Sequence, residues 1–212
     1  MSHLGPWREA RLARIGLRAK LLGLHRDLFL IHKKIKRWSE LDSKNITNLE
    51  TMVIVLEDRR FDLHYGIDVQ SIVRELIRAV TFRRHGGAST IDMQFVRTAT
   101  GFKAHTLRRK IYEMLLSILI QYRYKKIVIL RSYLNCAFFG SGLIGINKTS
   151  FRLFNKTPDS LSLEEAAFIA AMLVYPRPLK NGERWKSNVR RRAEYGVRVY
   201  VSNKNRFDKL DI

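Results

Sequence analysis

Apolar residues in this chain recur three and four positions apart almost from end to end, a spacing that commits it to packed helices. The clearest case is "VQSIVRELIRAV", with Val69, Ile72, Val73, Leu76, Ile77 and Val80 in helical register. "TLRRKIYEMLLSILIQYRYKK" is longer and equally helical, and "LETMVIVLEDRRFDLH" reads as a helix through to His64. "SLEEAAFIAAMLVYP" opens with Ser162 as N-cap, carries Glu165 three positions on as in a capping box, and is expected to run until Pro176 stops it. The period-two alternation of half-buried strands is scarce. With 46% hydrophobic residues among 212, the chain can bury one core, and a mainly α domain is expected.

Composition divides the chain into three. Residues 1–44 form a basic amphipathic arm in which Leu17, Leu21, Leu24, Leu28 and Ile31 make one apolar stripe. Two readings of it stand: a helix lying on an anionic membrane surface, or a helix packed on its own domain with a solvated basic face. The polar break "SELDSKNITNLE" leads into a body that runs to residue 195, and residues 196–212 are a basic tail. The longest uncharged run, "SYLNCAFFGSGLIGIN", has 16 residues, short of the ~20 a spanning helix needs, so no transmembrane anchor is expected. Arg8, Arg11, Arg14, Arg18 and Lys20 interrupt any signal-peptide core. The single cysteine, Cys136, excludes an internal disulfide and reads as a small buried hydrophobe.

Forty Lys and Arg against 19 Asp and Glu give a net charge of +21 and call for an anionic partner: nucleic acid, an acidic membrane or a phosphorylated substrate. Against that background three polar clusters stand out. In "VLEDRRFDLHYG", a continuous helix would place Glu57, Phe61 and His64 on one face with Asp58 beside them, as working groups or as salt-bridge partners. In "RRKIYEM", Arg109 and Lys110 lie four and three residues before Glu113, opposite Leu107, Ile111, Leu115 and Ile118. That stripe either binds a diphosphate, with Glu113 holding the cations, or is an ordinary helical ion pair. In "HGGASTIDMQFVRT", Ser89 and Thr90 can cap the next helix, forming a phosphate site or a simple capped turn; no Gly-Lys-Ser/Thr follows, so it is not a P-loop.

Taken in order, five stretches resemble the bacterial peptidoglycan glycosyltransferases, glycosyltransferase family fifty-one: "EDRRFDLHYG", "GASTIDMQFVR", "RKIYE", "KIVILRSYLNCAFFG" and "LSLEEAAFIAAMLVYPRPL". The likeness covers roughly residues 45 to 195. It implies a lysozyme-like helical domain with a small membrane-associated jaw, working at the outer face of the bacterial cytoplasmic membrane. By the resemblance, Glu57 is the general base that takes the proton of the acceptor's 4-hydroxyl, and Glu113 is the second essential carboxylate. Arg97, Arg109 and Lys110 would stabilise the leaving diphosphate, Ser89, Thr90 and Gln94 would line the donor site, and Asp58, Phe61 and His64 would shape the surroundings of Glu57. The implied partners are lipid II, the growing glycan strand, an anionic membrane surface and other cell-wall synthesis proteins. A divalent cation such as magnesium is left open as a cofactor.

The likeness is not complete. Asp92 and Met93 stand where the family has a small polar residue and its first Gln, Arg97 replaces a Lys, and Arg131 replaces a Glu. These departures keep open a divergent or inactive relative that acts as a scaffold or on another polyprenyl-linked glycan. A glycan hydrolase is a nearer enzymatic rival, since two carboxylates also cleave glycosidic bonds. Basic "NVRRRAEYGVRVYVSNKNR" suggests a nucleic-acid module instead, but no nucleic-acid signature accompanies it and none is expected as partner. Neither Ser-x-x-Lys nor Lys-Thr-Gly occurs, so the expectation is the monofunctional transglycosylase type.

Overall fold

The computed structural model describes residues 6–38, 45–81, 87–102, 106–180 and 182–210. Helices follow one another along them: α1 (Pro6–Trp38), α2 (Asn48–Glu57), α3 (Val69–Val80), α4 (Ile91–Thr100), α5 (Leu107–Arg123) and α6 (Lys126–Cys136). A short antiparallel ribbon, β1 (Phe138–Gly140) with β2 (Leu143–Ile144), precedes α7 (Ile146–Phe154), α8 (Leu163–Ala171), α9 (Glu183–Ser202) and α10 (Lys204–Phe207). The domain is mainly helical, as its periodicity requires.

α2 is the buried axis. Thr47 and Glu50 close a reciprocal capping box at its start, and Met52, Val53, Ile54 and Val55 are all inaccessible to solvent. One side is covered by α8, whose Ala166, Ala167, Ala170 and Ala171 let the backbones approach. α9 also crosses α2 closely: a Cβ on Gly196 would come 3.0 Å from the Leu56 side chain. α4 and α6 pack together on the rest of the core with the later part of α1.

Two helix ends differ from the sequence reading. α2 does not continue to His64: it stops at Glu57, Asp58 leaves the helical region, and only a 3-10 turn at Phe61–Leu63 follows. Tertiary contacts override the local pattern here, because Asp58 bonds across to α4 and Phe61 turns fully into the core. α8 opens with the expected Ser162–Glu165 box but ends at Ala171, where i to i+3 bonds tighten the chain well before Pro176.

Of the N-terminal stripe, Ile31 is buried and Leu24 and Leu28 pack on the core, while Leu21 stays 54% exposed. From Leu24 onward the helix therefore packs on its own domain; the side chain of Leu17, residues 39–44 of the polar break and residues 82–86, up to the first of the two glycines, lie outside the described residues. The basic tail is helical and sends Phe207 into the core. α3 touches other elements only sparsely and leaves Val69, Val73, Leu76, Ile77 and Val80 exposed. On α5, Leu107, Ile111, Leu115 and Ile118 face outward, while Glu113, Leu116, Ser117 and Ile120 are buried. Among the described residues no helix is long and apolar enough to cross a membrane.

Candidate active site

Glu57 is the last residue of α2, and its side chain is 9% exposed. Its two oxygens are held from different helices. Oε1 accepts from Arg192 Nη2 of α9 at 2.8 Å, and the same nitrogen donates to the Leu56 carbonyl at 2.9 Å. Oε2 accepts from Gln94 Nε2 of α4 at 3.2 Å, and Gln94 in turn accepts from the Tyr133 hydroxyl of α6 at 2.7 Å. Burial, followed by the Glu57 charge, pushes the Tyr133 phenol far up, so it acts as a donor that fixes the amide. A carboxylate has about four lone-pair positions, so two acceptor positions on Glu57 have no partner among the described residues. Glu57 borders a cavity of about 640 Å3 shared with Asp58, Arg59, Arg60, Arg74, Ser89, Thr90, Arg192 and Arg206.

Glu113 is different in kind. It is fully buried, and Arg97 clamps it bidentately, Nε to Oε1 at 3.1 Å and Nη2 to Oε2 at 3.0 Å. Arg109 adds an ion pair at 3.3 Å from one turn earlier on α5, while its Nε and Nη1 are buried without a hydrogen-bond acceptor. Glu113 thus anchors two guanidinium groups, one of which has donors left for an anion. Lys110, half-buried beside them, has no ion pair among the described residues.

The remaining sequence candidates lie behind the two carboxylates. Asp58 Oδ2 accepts from His64 Nε2 at 2.9 Å and from the Ile91 amide at 3.0 Å, tying the end of α2 to the start of α4. Phe61 is wholly buried, and the His64 side chain is 4% exposed. Thr90, not Ser89, is the N-cap of α4: its hydroxyl accepts from Met93 N and donates to Gly66 O at 2.7 Å. Gly66 itself needs its positive φ of +77°, and a Cβ there would strike the Ser117 backbone at 2.6 Å. Ser89 lies half-buried on the cavity wall.

Three of the departures from the family pattern, Asp92, Met93 and Arg131, do not line the Glu57 cavity. Met93 is fully buried, Asp92 is buried against Lys126 at 3.1 Å, and Arg131 bonds Glu50 at 2.7 Å at the far end of α2. Burial pushes the Cys136 thiol up to about 11, and the sulfur donates to the Ser132 carbonyl, in keeping with a small packed side chain. Residues around Glu113 do not fit a protein-held divalent cation, because both carboxylate oxygens are already engaged by guanidinium groups.

Arg192 and Tyr133 escaped the sequence reading. Arg192 sits in a run of three arginines that looks like a solvated face. The signal was the stripe Val189, Ala193 and Gly196, all buried, which turns Arg192 rather than Arg190 or Arg191 toward α2.

A match to the Transglycosylase family covers residues 29–198. Penicillin-binding protein 1A of Rickettsia bellii is 37% identical over 155 residues, 71% of this chain and 20% of that protein. Penicillin-binding protein 1A of Clostridium botulinum is 33% identical over 138 residues, 62% of this chain and 17% of that protein. Penicillin-binding protein 2a of Streptococcus pneumoniae is 37% identical over 129 residues, 61% of this chain and 17% of that protein. The chain spans about a fifth of the length of these relatives. With most of its length matched, the chain belongs to the transglycosylase family and carries a glycosyltransferase domain.

Proposed function

We propose that this domain polymerises lipid II, a lipid-linked disaccharide, into glycan strands and releases a polyprenyl diphosphate. In that reading the 4-hydroxyl oxygen of the acceptor sugar attacks the anomeric carbon of the donor. Glu57 takes the hydroxyl proton, and the bond from the anomeric carbon to the diphosphate oxygen breaks, its electron pair leaving with the diphosphate. The observation that carries the reading is the contrast between the two carboxylates. Glu57 borders a cavity with lone pairs to spare, as a base requires, whereas Glu113 is buried and spent on guanidinium groups.

Charge developing on the leaving diphosphate falls to Arg97, Arg109 and Lys110, cations whose effect is larger in the transition state than in the ground state. Ser89 and Gln94 serve the donor side. Asp58, Phe61, His64 and Thr90 serve by holding the two helices that carry these groups. The work is assigned to the outer face of a bacterial cytoplasmic membrane, with the exposed apolar faces of α3 and α5 as the jaw that meets lipid and other cell-wall synthesis proteins as further partners. Neither Ser-x-x-Lys nor Lys-Thr-Gly occurs within these 212 residues, so the proposed activity of these residues is glycosyl transfer alone.

Glu57→Gln tests the proposal: it is close to isosteric and removes the base, while one of the two acceptors facing Arg192 and Gln94 becomes an amide donor. Polymerisation of labelled lipid II in detergent should fall by about 100- to 10,000-fold, with the circular dichroism spectrum and melting point unchanged. A folded variant that still makes glycan chains at the wild-type rate would remove Glu57 from the role.

A further inference from the structure

Lys126 begins α6 yet points inward, its side chain 10% exposed. An ammonium group has three N–H bonds, and three acceptors surround this one: Asp92 Oδ2 at 3.1 Å, His64 Nδ1 at 3.3 Å and the face of the Phe61 ring, 4.4 Å from its centroid. Asp92 is fully buried, and its second oxygen has no hydrogen-bond partner. Asp58, His64 and Asp92 bring one ligand atom each to within 4.8 Å of one another, spacing that would suit a metal ion. Burial pushes Asp92 up and Lys126 down, and the nearness of each to the other is the first influence opposing that.

We propose that Lys126 is an internal cation seated against one carboxylate, one imidazole and an aromatic face beside the Asp58, His64 and Asp92 cluster, and that from this seat Lys126 positions Glu57. The steps are short. An ammonium can only donate, so His64 Nδ1 accepts and the ring carries its proton on Nε2. Nε2 then donates to Asp58 Oδ2, which also holds the Ile91 amide. Asp58 is bonded directly to Glu57, and Ile91 starts the helix whose Gln94 grips Glu57 Oε2. One buried charge thereby sets both ends of the contact that aims the carboxylate, without touching substrate. Asp92 is the counter-charge that keeps the ammonium in place.

Only the effect on turnover rests on the polymerase reading, so the test has a part that needs no substrate. In wild-type protein, 15N-edited spectra of the His64 ring should show protonated Nε2 and unprotonated Nδ1; the opposite tautomer would overturn the first step. Lys126→Met should lower the melting point, because it strands the buried Asp92 carboxylate. The double variant Lys126→Met with Asp92→Asn removes both charges, so the melting point should recover; Asp58 still keeps the proton on Nε2, while the Nδ1 resonance shifts because its ammonium donor is gone. Its kcat for glycan polymerisation should lie about 10- to 100-fold below wild type with KM within roughly twofold, the pattern of a misaimed group rather than a lost binding contact. A folded double variant with wild-type kcat and an unchanged imidazole pattern would refute the positioning role. If wild type makes no polymer, the polymerase reading fails while the spectra still decide the seat.

Discussion

Arg192 does for Glu57 what no neighbour on α2 can do. Its one nitrogen bonds the Leu56 carbonyl and the Glu57 carboxylate, so it caps the end of the helix and fixes the direction of the acid together. The side chain is 25% exposed and the bond is charge-assisted, which puts its worth at about 1.5–3 kcal/mol. Arg192→Ala should lower kcat by about 10- to 100-fold, and the melting point by several degrees, because the nearly buried Glu57 carboxylate loses its cation. Arg192→Lys should recover little, because a single ammonium on a different stem cannot reach both acceptors from the same angle. Turnover of Arg192→Ala within twofold of wild type would show that Gln94 alone holds the acid.

At the level of elements, α4 joins the two carboxylates: Gln94 meets Glu57 and, one turn on, Arg97 meets Glu113. That pairing was half legible. The spacing of Arg109 and Glu113 was readable because both lie on one helix, and the period of α3 and the capping box of α8 were local too. Arg97 with Glu113, Arg192 with Glu57 and Asp58 with Ile91 join distant segments, and no local pattern encodes which partner is chosen. The same contacts explain why α2 ends where its periodicity says it should continue. α3 offers a test at this scale. Asp68 accepts from the Gln70 and Ser71 amides and the Ser71 hydroxyl, and pairs with Arg60. Burial alone would raise its carboxyl, but the bonds from Ser71 and the Arg60 charge outweigh that and hold it below 3.8. A depressed carboxyl contributes stability that is present above the unfolded value and is lost as pH falls through the folded one. Urea midpoints should therefore drop below about pH 4 more steeply in wild type than in Asp68→Asn. At neutral pH that variant should cost up to about 1 kcal/mol, through the weakened Arg60 pair, since Asn caps a helix about as well as Asp. Parallel acid profiles for the two proteins would sink the assignment.

The whole molecule combines +21 net charge with apolar side chains that its core leaves outside, and both features suit an anionic lipid surface. On α3 they meet: Val69, Val73 and Ile77 share a cavity of about 620 Å3 with Arg74 and Arg78. Charge alone would give binding that weakens steeply with salt, since exposed charges are screened beyond about 8 Å at physiological ionic strength. Apolar insertion would survive salt and depend on particular side chains. Leu76 and Ile77, 62% and 60% exposed, support little of the fold, so replacing both with Glu should leave the melting point unchanged. Burying the accessible part of the two natural side chains in lipid is worth about 2 kcal/mol, so the double variant should bind vesicles roughly 30-fold more weakly. Sedimentation with vesicles rich in phosphatidylglycerol, at low and high salt, separates the two contributions. Binding that salt abolishes and the Glu substitutions leave intact would make the surface a purely electrostatic platform, with α3 standing clear of the lipid.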